Sequence, residues 1–330
     1  MRLEPGQLQG LALELSSRVE LAYKQDIQLA AKVFGRAARS NWLGGNSEIL
    51  NGDDAAAIRM PDGSYLLLAA EGLRDEFVAA DPWFAGYSAV MVNVSDIAAM
   101  GGRACAVVDV LFLGEGANER VLEGMRAASQ TFGVPVVGGH TTRVEGPTRL
   151  AAAILGQAKS LIESHTARPG QLLIAAIDLR GSFRNRSAFN AATTASPERL
   201  RAQLGLLPEL AEAGLVRAGK DISNAGVCGT LAMLLESSQV GALLALDALP
   251  APERVDPLRW LGAFPSYGFL LAVDPAHAEE VCARFGALEV AAAVVGEVQA
   301  EPSLVLGHGR ERALFRDLQA EPLTGFGAGA

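Results

Sequence analysis

Two aspartates stand side by side in GDDAAAI, residues 52–58, just ahead of a short apolar run. Neighbouring like charges repel and Asp disfavours strands. The pair is therefore either a solvated turn or half of a site that holds a cation. Further polar groups recur at the ends of elements. Glu71 closes the run SYLLLAAEG, and Asn93 and Asp96 stand three apart on one helix face of VNVSDIAAMGG. His140 and Thr141 follow Gly138 and Gly139 in VVGGHTT, where a glycine pair lets backbone come close to a ligand. Asp221, Ser223 and Asn224 fall together in GKDISNAGV. Oxygen groups drawn from several loops are what a hard cation such as Mg²⁺ needs. A Mg²⁺ with few protein ligands serves phosphoryl transfer, where positioning and charge neutralisation do most of the work. Each motif alone also has an ordinary reading. GDD is a turn, Asp96 an exposed helix residue, DISN an N-cap cluster, and His140 a structural histidine. The functional reading belongs to the set.

The elements that must position these groups follow from pattern. A helix is predicted over residues 8–38, then a polar, glycine-bearing loop up to Asp54. Strands over 55–60 and 65–70 meet at Pro61-Asp62-Gly63. Asp81-Pro82 starts a helix that stops at Gly101-Gly102 and carries Asn93 and Asp96. ACAVVDVLFL, VPVVGG and TRLAAAILGQA read as strands, with a helix from Asn118 to near Gly133 between the first two. A second series begins after SHTARPG. It holds the strand LLIAAIDL, a loop with Arg180, Arg184 and Arg186, and a helix from Ser196-Pro197 to about Gly214. A helix follows DISNAG, and GALLALDAL, YGFLLAV and EVAAAVVGEV are strands. Such alternation, twice over, predicts two α/β or α+β domains, 1–160 and 161–330. The tail EPLTGFGAGA reads as frayed.

Composition narrows the classes. The 330 residues are 50% hydrophobic and 20% charged, a folding composition, and the net charge of −9 argues against a duplex nucleic-acid partner. Cys105, Cys228 and Cys282 are odd in number with no CxxC pair, and read as reduced core thiols of a cytoplasmic protein. MRLEPGQLQG lacks the build of a signal peptide, and no apolar run reaches the ~18 residues of a membrane span. Neither GxxxxGK[ST] nor a strand-linked GxGxxG occurs. Lys220, beside Asp221, reads as a local ion pair, with contact to a phosphate as the alternative.

Taken in order, GDDAAAI, SDIAAMGG, GGHTT and DISNAGVCGTL resemble the ATP-using superfamily of aminoimidazole ribonucleotide (AIR) synthetase, thiamine-monophosphate kinase, selenophosphate synthetase and the hydrogenase-maturation dehydratase. The match runs over about 50–160 and 168–275, and is nearest to the AIR synthase-related proteins. The resemblance implies a two-domain fold in which N-terminal domains pair through a β-barrel into a homodimer and the C-terminal domain is α/β. It implies Mg²⁺ and ATP in a cleft that the dimer interface helps to form. Carried over, Asp53, Asp54 and Asp96, with Glu71, are metal ligands; Asp221 and His140 are catalytic. Lys32, Arg36, Asn93, Gly138, Gly139, Thr141 and Asn224 are candidates for holding the nucleotide, Lys32 and Arg36 on charge and location alone. The sequence departs from its relatives at Glu71, where they usually have Asp, at His140, where the kinases have Asp and the AIR synthetases Glu while selenophosphate synthetases share GGH, and at Asn224, where the kinases have a second Asp. The implied function is Mg²⁺-ATP-dependent phosphoryl transfer to a small molecule. The departures motivate a second reading, a nucleotide-binding regulatory or scaffold protein without turnover. A two-metal phosphohydrolase, prompted by GDD with GGH, is a third.

Overall fold

The computed structural model describes residues 1, 3–40, 47–116, 118–184, 187–264 and 268–327. Gly44, Gly45, Arg186 and the Pro-Ser-Tyr ahead of GFLLAV lie outside these. The N-terminal stretch forms three short helices rather than one: α1 (Leu8–Ser16), α2 (Val19–Gln25) and α3 (Ile27–Phe34). The first break is at Arg18, whose backbone is extended and whose guanidinium is tied to Glu20 and to the Leu258 carbonyl. Gly35, at φ +69°, ends α3. Helix α1 buries Leu8, Leu11, Ala12 and Leu15, a single face at helical spacing.

A hairpin of β1 (Ala37–Ser40) and β2 (Ser47–Leu50) precedes the acidic loop. Next come β3 (Ala56–Arg59), β4 (Tyr65–Gly72), α4 (Asp75–Ala80), α5 (Pro82–Ala99), β5 (Arg103–Glu115), α6 (Asn118–Phe132), β6 (Val136–Pro147) and β7 (Arg149–Ala158). Five of these strands make a sheet in the order β3-β4-β7-β5-β6, antiparallel except for β5 with β6. At the β3–β4 turn Asp62 accepts hydrogen bonds from the amide and hydroxyl of Ser64. Asp81 caps α5 by accepting from the Phe84 amide, with Pro82 in the first turn.

Helix α5 is buried nearly all round and packs on both β4 and β7 as well as on α6. The close crossing of α5 and α6 depends on a reciprocal pair of glycines. A Cβ on Gly86 would sit 1.9 Å from the Val121 carbonyl oxygen, and one on Gly124 would sit 1.9 Å from that of Trp83.

The second half contains β8 (Leu172–Ile177), β9 (Ser182–Phe183), β10 (Phe189–Asn190), α7 (Pro197–Glu212), β11 (Ala218–Asp221), α8 (Gly226–Ser238), β12 (Gly241–Ala245), α9 (Pro257–Leu261), β13 (Gly268–Val273), α10 (Ala278–Ala287), β14 (Ala291–Gln299), β15 (Ser303–His308) and β16 (Glu311–Asp317). Seven of its strands form one sheet, β11-β13-β8-β14-β12-β15-β16. Separate apolar cores lie on its two faces. One takes in α8 and also α1, which packs on β16; the other takes in α7 and α10. The fold is thus the mixed α/β, two-part architecture that the sequence implies.

Two further expectations fail. The tail is not frayed over residues 321–327: Leu323 and Phe326 are buried, and the buried Glu236 carboxylate accepts from the amides of Leu323, Thr324 and Gly325 and from the Thr324 hydroxyl. A single internal carboxylate therefore replaces the water that those amides would otherwise need. Of the three thiols, only Cys228 is in the core. Cys105 is exposed on β5 and Cys282 is half-buried, though all three are free.

Candidate functional site

The acidic loop crosses from the first sheet to the second. Asp53 accepts from the Ser164 amide at 2.8 Å and hydroxyl at 2.6 Å. Asp54 pairs with Lys220 and accepts from the Asp221 amide at 3.3 Å. Lys220 is thus an ion pair, but with a residue distant in sequence; Asp53 lies 3.9 Å away as its second carboxylate.

Asp54, Asp96 and Asp221 converge so that one carboxylate oxygen of each lies within 4.8 Å of the others. Asp96 is 6% exposed and Asp221 3% exposed. Asp96 Oδ2 and Asp221 Oδ1 have no hydrogen-bond partner. Buried polar atoms are nearly always paired, so an unpartnered oxygen on each of two clustered carboxylates leaves acceptors that a cation could use. The donor set fits: hard oxygens, several elements, and an open side for water and ligand.

The charge balance of the site agrees. Burial raises the Asp96 carboxyl well above the usual range, with the nearby Asp221 and Glu71 adding to it. Burial, then Asp54, pushes Asp221 up to about 7. Burial also raises Asp54, against the pull of Lys220. For Lys220 burial works against the charge, but Asp54 and Asp53 outweigh it and hold the ammonium well above its usual value. Both partners of the Lys220–Asp54 pair therefore move upward. Lys220 has two carboxylates to itself, whereas Asp54 is one of several acids sharing that cation, so the pair is ionic and the cluster around it is short of positive charge.

Two members of the cluster, Asp96 and Asp221, line a cleft of about 620 Å³. Glu71, Ser223 and Asn224 line it with them. Tyr23 and Lys24 of α2, Phe77 of α4 and Phe264 also line it. Asp221 and Asn224 are set by an unusual backbone: Ala225 (φ 78°) and Gly226 (φ 64°) are both left-handed at the start of α8. Position 226 has to be glycine, since a Cβ there would lie 2.0 Å from the Leu261 carbonyl oxygen. A non-glycine residue held in that conformation beside a cleft is where strain is usually stored for function.

Other candidates lie apart from the cluster. Asn93 is fully buried one turn before Asp96, its amide donating to the Ala89 carbonyl at 2.8 Å. Arg36 donates to the Ser237 carbonyl, and Lys32 is exposed on α3. Gly138, Gly139, His140 and Thr141 lie exposed along β6, at the edge of the first sheet. Glu71, Ala152, Asp109 and Gly139 make one cross-strand row, while His140 is in the next row with Val110 and Ala151. Successive rows face opposite sides, so His140 stands across the sheet from Glu71. Among the described residues, His165 is the one histidine within ion-pair distance of a carboxylate, 3.9 Å from Asp53. Two groups carry no motif and were not legible: Lys24, on an unremarkable helix, and Ser164, which holds Asp53.

Two family models cover the chain: the N-terminal domain of AIR synthase related proteins over residues 52–158, and the C-terminal domain over 161–309. It is also 46% identical to "Uncharacterized protein sll0787" of Synechocystis sp., across 97% of this chain and 98% of that one. The chain belongs to the AIR synthase related family. Among solved structures it superposes on T. maritima PurL complexed with ATP, with a TM-score of 0.77 and 20% identity, covering 98% of this chain. It spans only 52% of the PurL chain. AaThiL complexed with AMPPCP and TMP superposes with a TM-score of 0.65 at 18% identity, covering 86% of this chain and 93% of that one. At these identities the structures establish the shared fold. No helix among the described residues is long and apolar enough to cross a membrane.

Proposed function

We propose that this member of the family is a Mg²⁺- and ATP-dependent enzyme that transfers a phosphoryl group to a small-molecule acceptor, working as a cytoplasmic homodimer. The observation that carries this reading is the convergence of Asp54, Asp96 and Asp221, the last two each with an unpartnered buried oxygen and both lining an open cleft. Asp54, Asp96 and Asp221 would hold the cation, with Glu71 at the margin. When bound, Mg²⁺ would neutralise charge on the phosphoryl group in transfer. The nucleotides in the PurL and ThiL structures, which share the fold, support ATP as the donor.

The chain's own residues supply the rest. Lys220 and the Ser164 amide and hydroxyl fix the adjacent aspartates in place, so the cluster is organised before a ligand arrives. Phe77, Phe264 and Tyr23 keep water from much of the cleft wall. Gly138, Gly139, His140 and Thr141 would act from the β6 edge, where a second copy could bring a cleft against them. Three free cysteines support a reducing compartment.

The test is calorimetric binding of a non-hydrolysable ATP analogue, with and without Mg²⁺, to wild type and Asp96→Asn. Mg²⁺-dependent binding that weakens about tenfold or more in the variant is expected. Absence of binding in wild type would sink the reading. Binding without ADP release in any acceptor screen would favour the regulatory or scaffold alternative.

A further inference from the structure

Lys24 is a cation inside the cleft that no motif assigns. It lies on α2 in the lining of the cleft, and its ammonium donates to the Ser223 hydroxyl at 3.3 Å. Among the described residues that is its one hydrogen bond, which leaves two N–H donors free. Glu71, Asp221 and Asp54 all act on its charge, yet none comes within ion-pair distance. Burial lowers its pKa most, with Glu71 the largest opposing influence. The contrast with Lys220 is instructive. Lys220 lies beneath the acids, outside the cleft lining, and its ammonium is taken up by Asp54 and Ser164. Lys24 is part of the cleft lining and has donors to spare.

An ammonium held just short of a divalent-cation site is complementary to an anion that touches both. A phosphoryl group has several oxygens around one centre, so one can reach the cation while another accepts from a lysine. We propose that Lys24 is a ligand-binding residue whose ammonium donates to a phosphoryl oxygen of the molecule seated over the Asp54–Asp96–Asp221 cluster. This rests on the phosphoryl-transfer reading above. The phosphoryl group belongs either to the nucleotide or to a separate phosphorylated ligand, and the experiment distinguishes the two.

Wild type, Lys24→Met and Lys24→Arg are titrated calorimetrically, in Mg²⁺, with the non-hydrolysable ATP analogue, with adenosine and with inorganic pyrophosphate. Thermal melting confirms that each variant is folded. The expected result is a loss of at least about tenfold for the analogue in Lys24→Met, no change for adenosine, and recovery of most of the affinity in Lys24→Arg. Mn²⁺ binding alone, followed by electron paramagnetic resonance, should be unchanged or tighter in Lys24→Met. Equal loss for adenosine and analogue, or no loss for any phosphate ligand, would overturn the inference. If wild type binds pyrophosphate through Lys24 but no nucleotide, the lysine assignment holds and ATP fails as the donor.

Discussion

Five carboxylates and two ammonium groups share the site: Asp53, Asp54, Glu71, Asp96 and Asp221 against Lys24 and Lys220. Without further positive charge the cluster can relieve itself only by holding protons, as the raised Asp96 and Asp221 carboxyls show. An unfolded Asp titrates near 3.9, whereas Asp221 in the fold titrates near 7. Between those values the folded chain keeps a proton that the unfolded chain has released, so stability falls as pH rises through this window. The melting temperature of metal-free protein should therefore fall from pH 5 to pH 8, and Asp221→Asn should flatten much of that fall. Mg²⁺ should stabilise more at pH 8 than at pH 5, because it competes with those protons. A wild-type profile that matches the Asn variant would mean that Asp221 ionises as an ordinary surface acid.

At the scale of elements, the Gly86–Gly124 crossing fixes where α5 runs and hence where Asp96 sits. Glycine to alanine in an exposed helix gains about 1 kcal/mol. At Gly86 the new Cβ would enter the Val121 carbonyl, so Gly86→Ala should instead cost roughly 1–3 kcal/mol. Chemical denaturation measures this, and a stabilised variant would show that the two helices separate without penalty. Much of this level was legible. The Asp81-Pro82 and Ser196-Pro197 starts, the Pro61-Asp62-Gly63 turn and the strands around them obey local rules of capping and turn chemistry. The α1–α3 breaks were not, because Arg18 is pulled out of helix by a carbonyl 240 residues away. The docked tail was not either, since its partner Glu236 is an internal helix residue that looks like any other acid in sequence. In the site, GDD, SDI and DISN carried the acids, but Lys24 gave no signal: a single lysine on a seven-residue helix acquires meaning only from what it faces.

For the whole molecule, the first sheet turns Leu68, Val108, Val110 and Leu155 outward, 38–50% exposed, on strands β4, β5 and β7. A contiguous apolar face on a sheet marks an interaction surface, consistent with the homodimer proposed here. Light scattering should give twice the 34.4 kDa chain mass, and Val110→Lys should shift it toward the single chain. A monomeric wild type would remove the second copy from the site. The same two-sheet layout sets an order of events during synthesis. Strands β3 to β7 are contiguous in sequence and can pair once residue 158 has emerged, whereas β8 must wait for β13 and β14, completed only at residue 299. At ~5–20 residues per second that delay is on the order of ten seconds. Until Lys220 has emerged and β11 has docked on β13, Asp54 and Asp96 of the nascent first half lack the ammonium that pairs with Asp54, and Lys24 is the one site lysine already made.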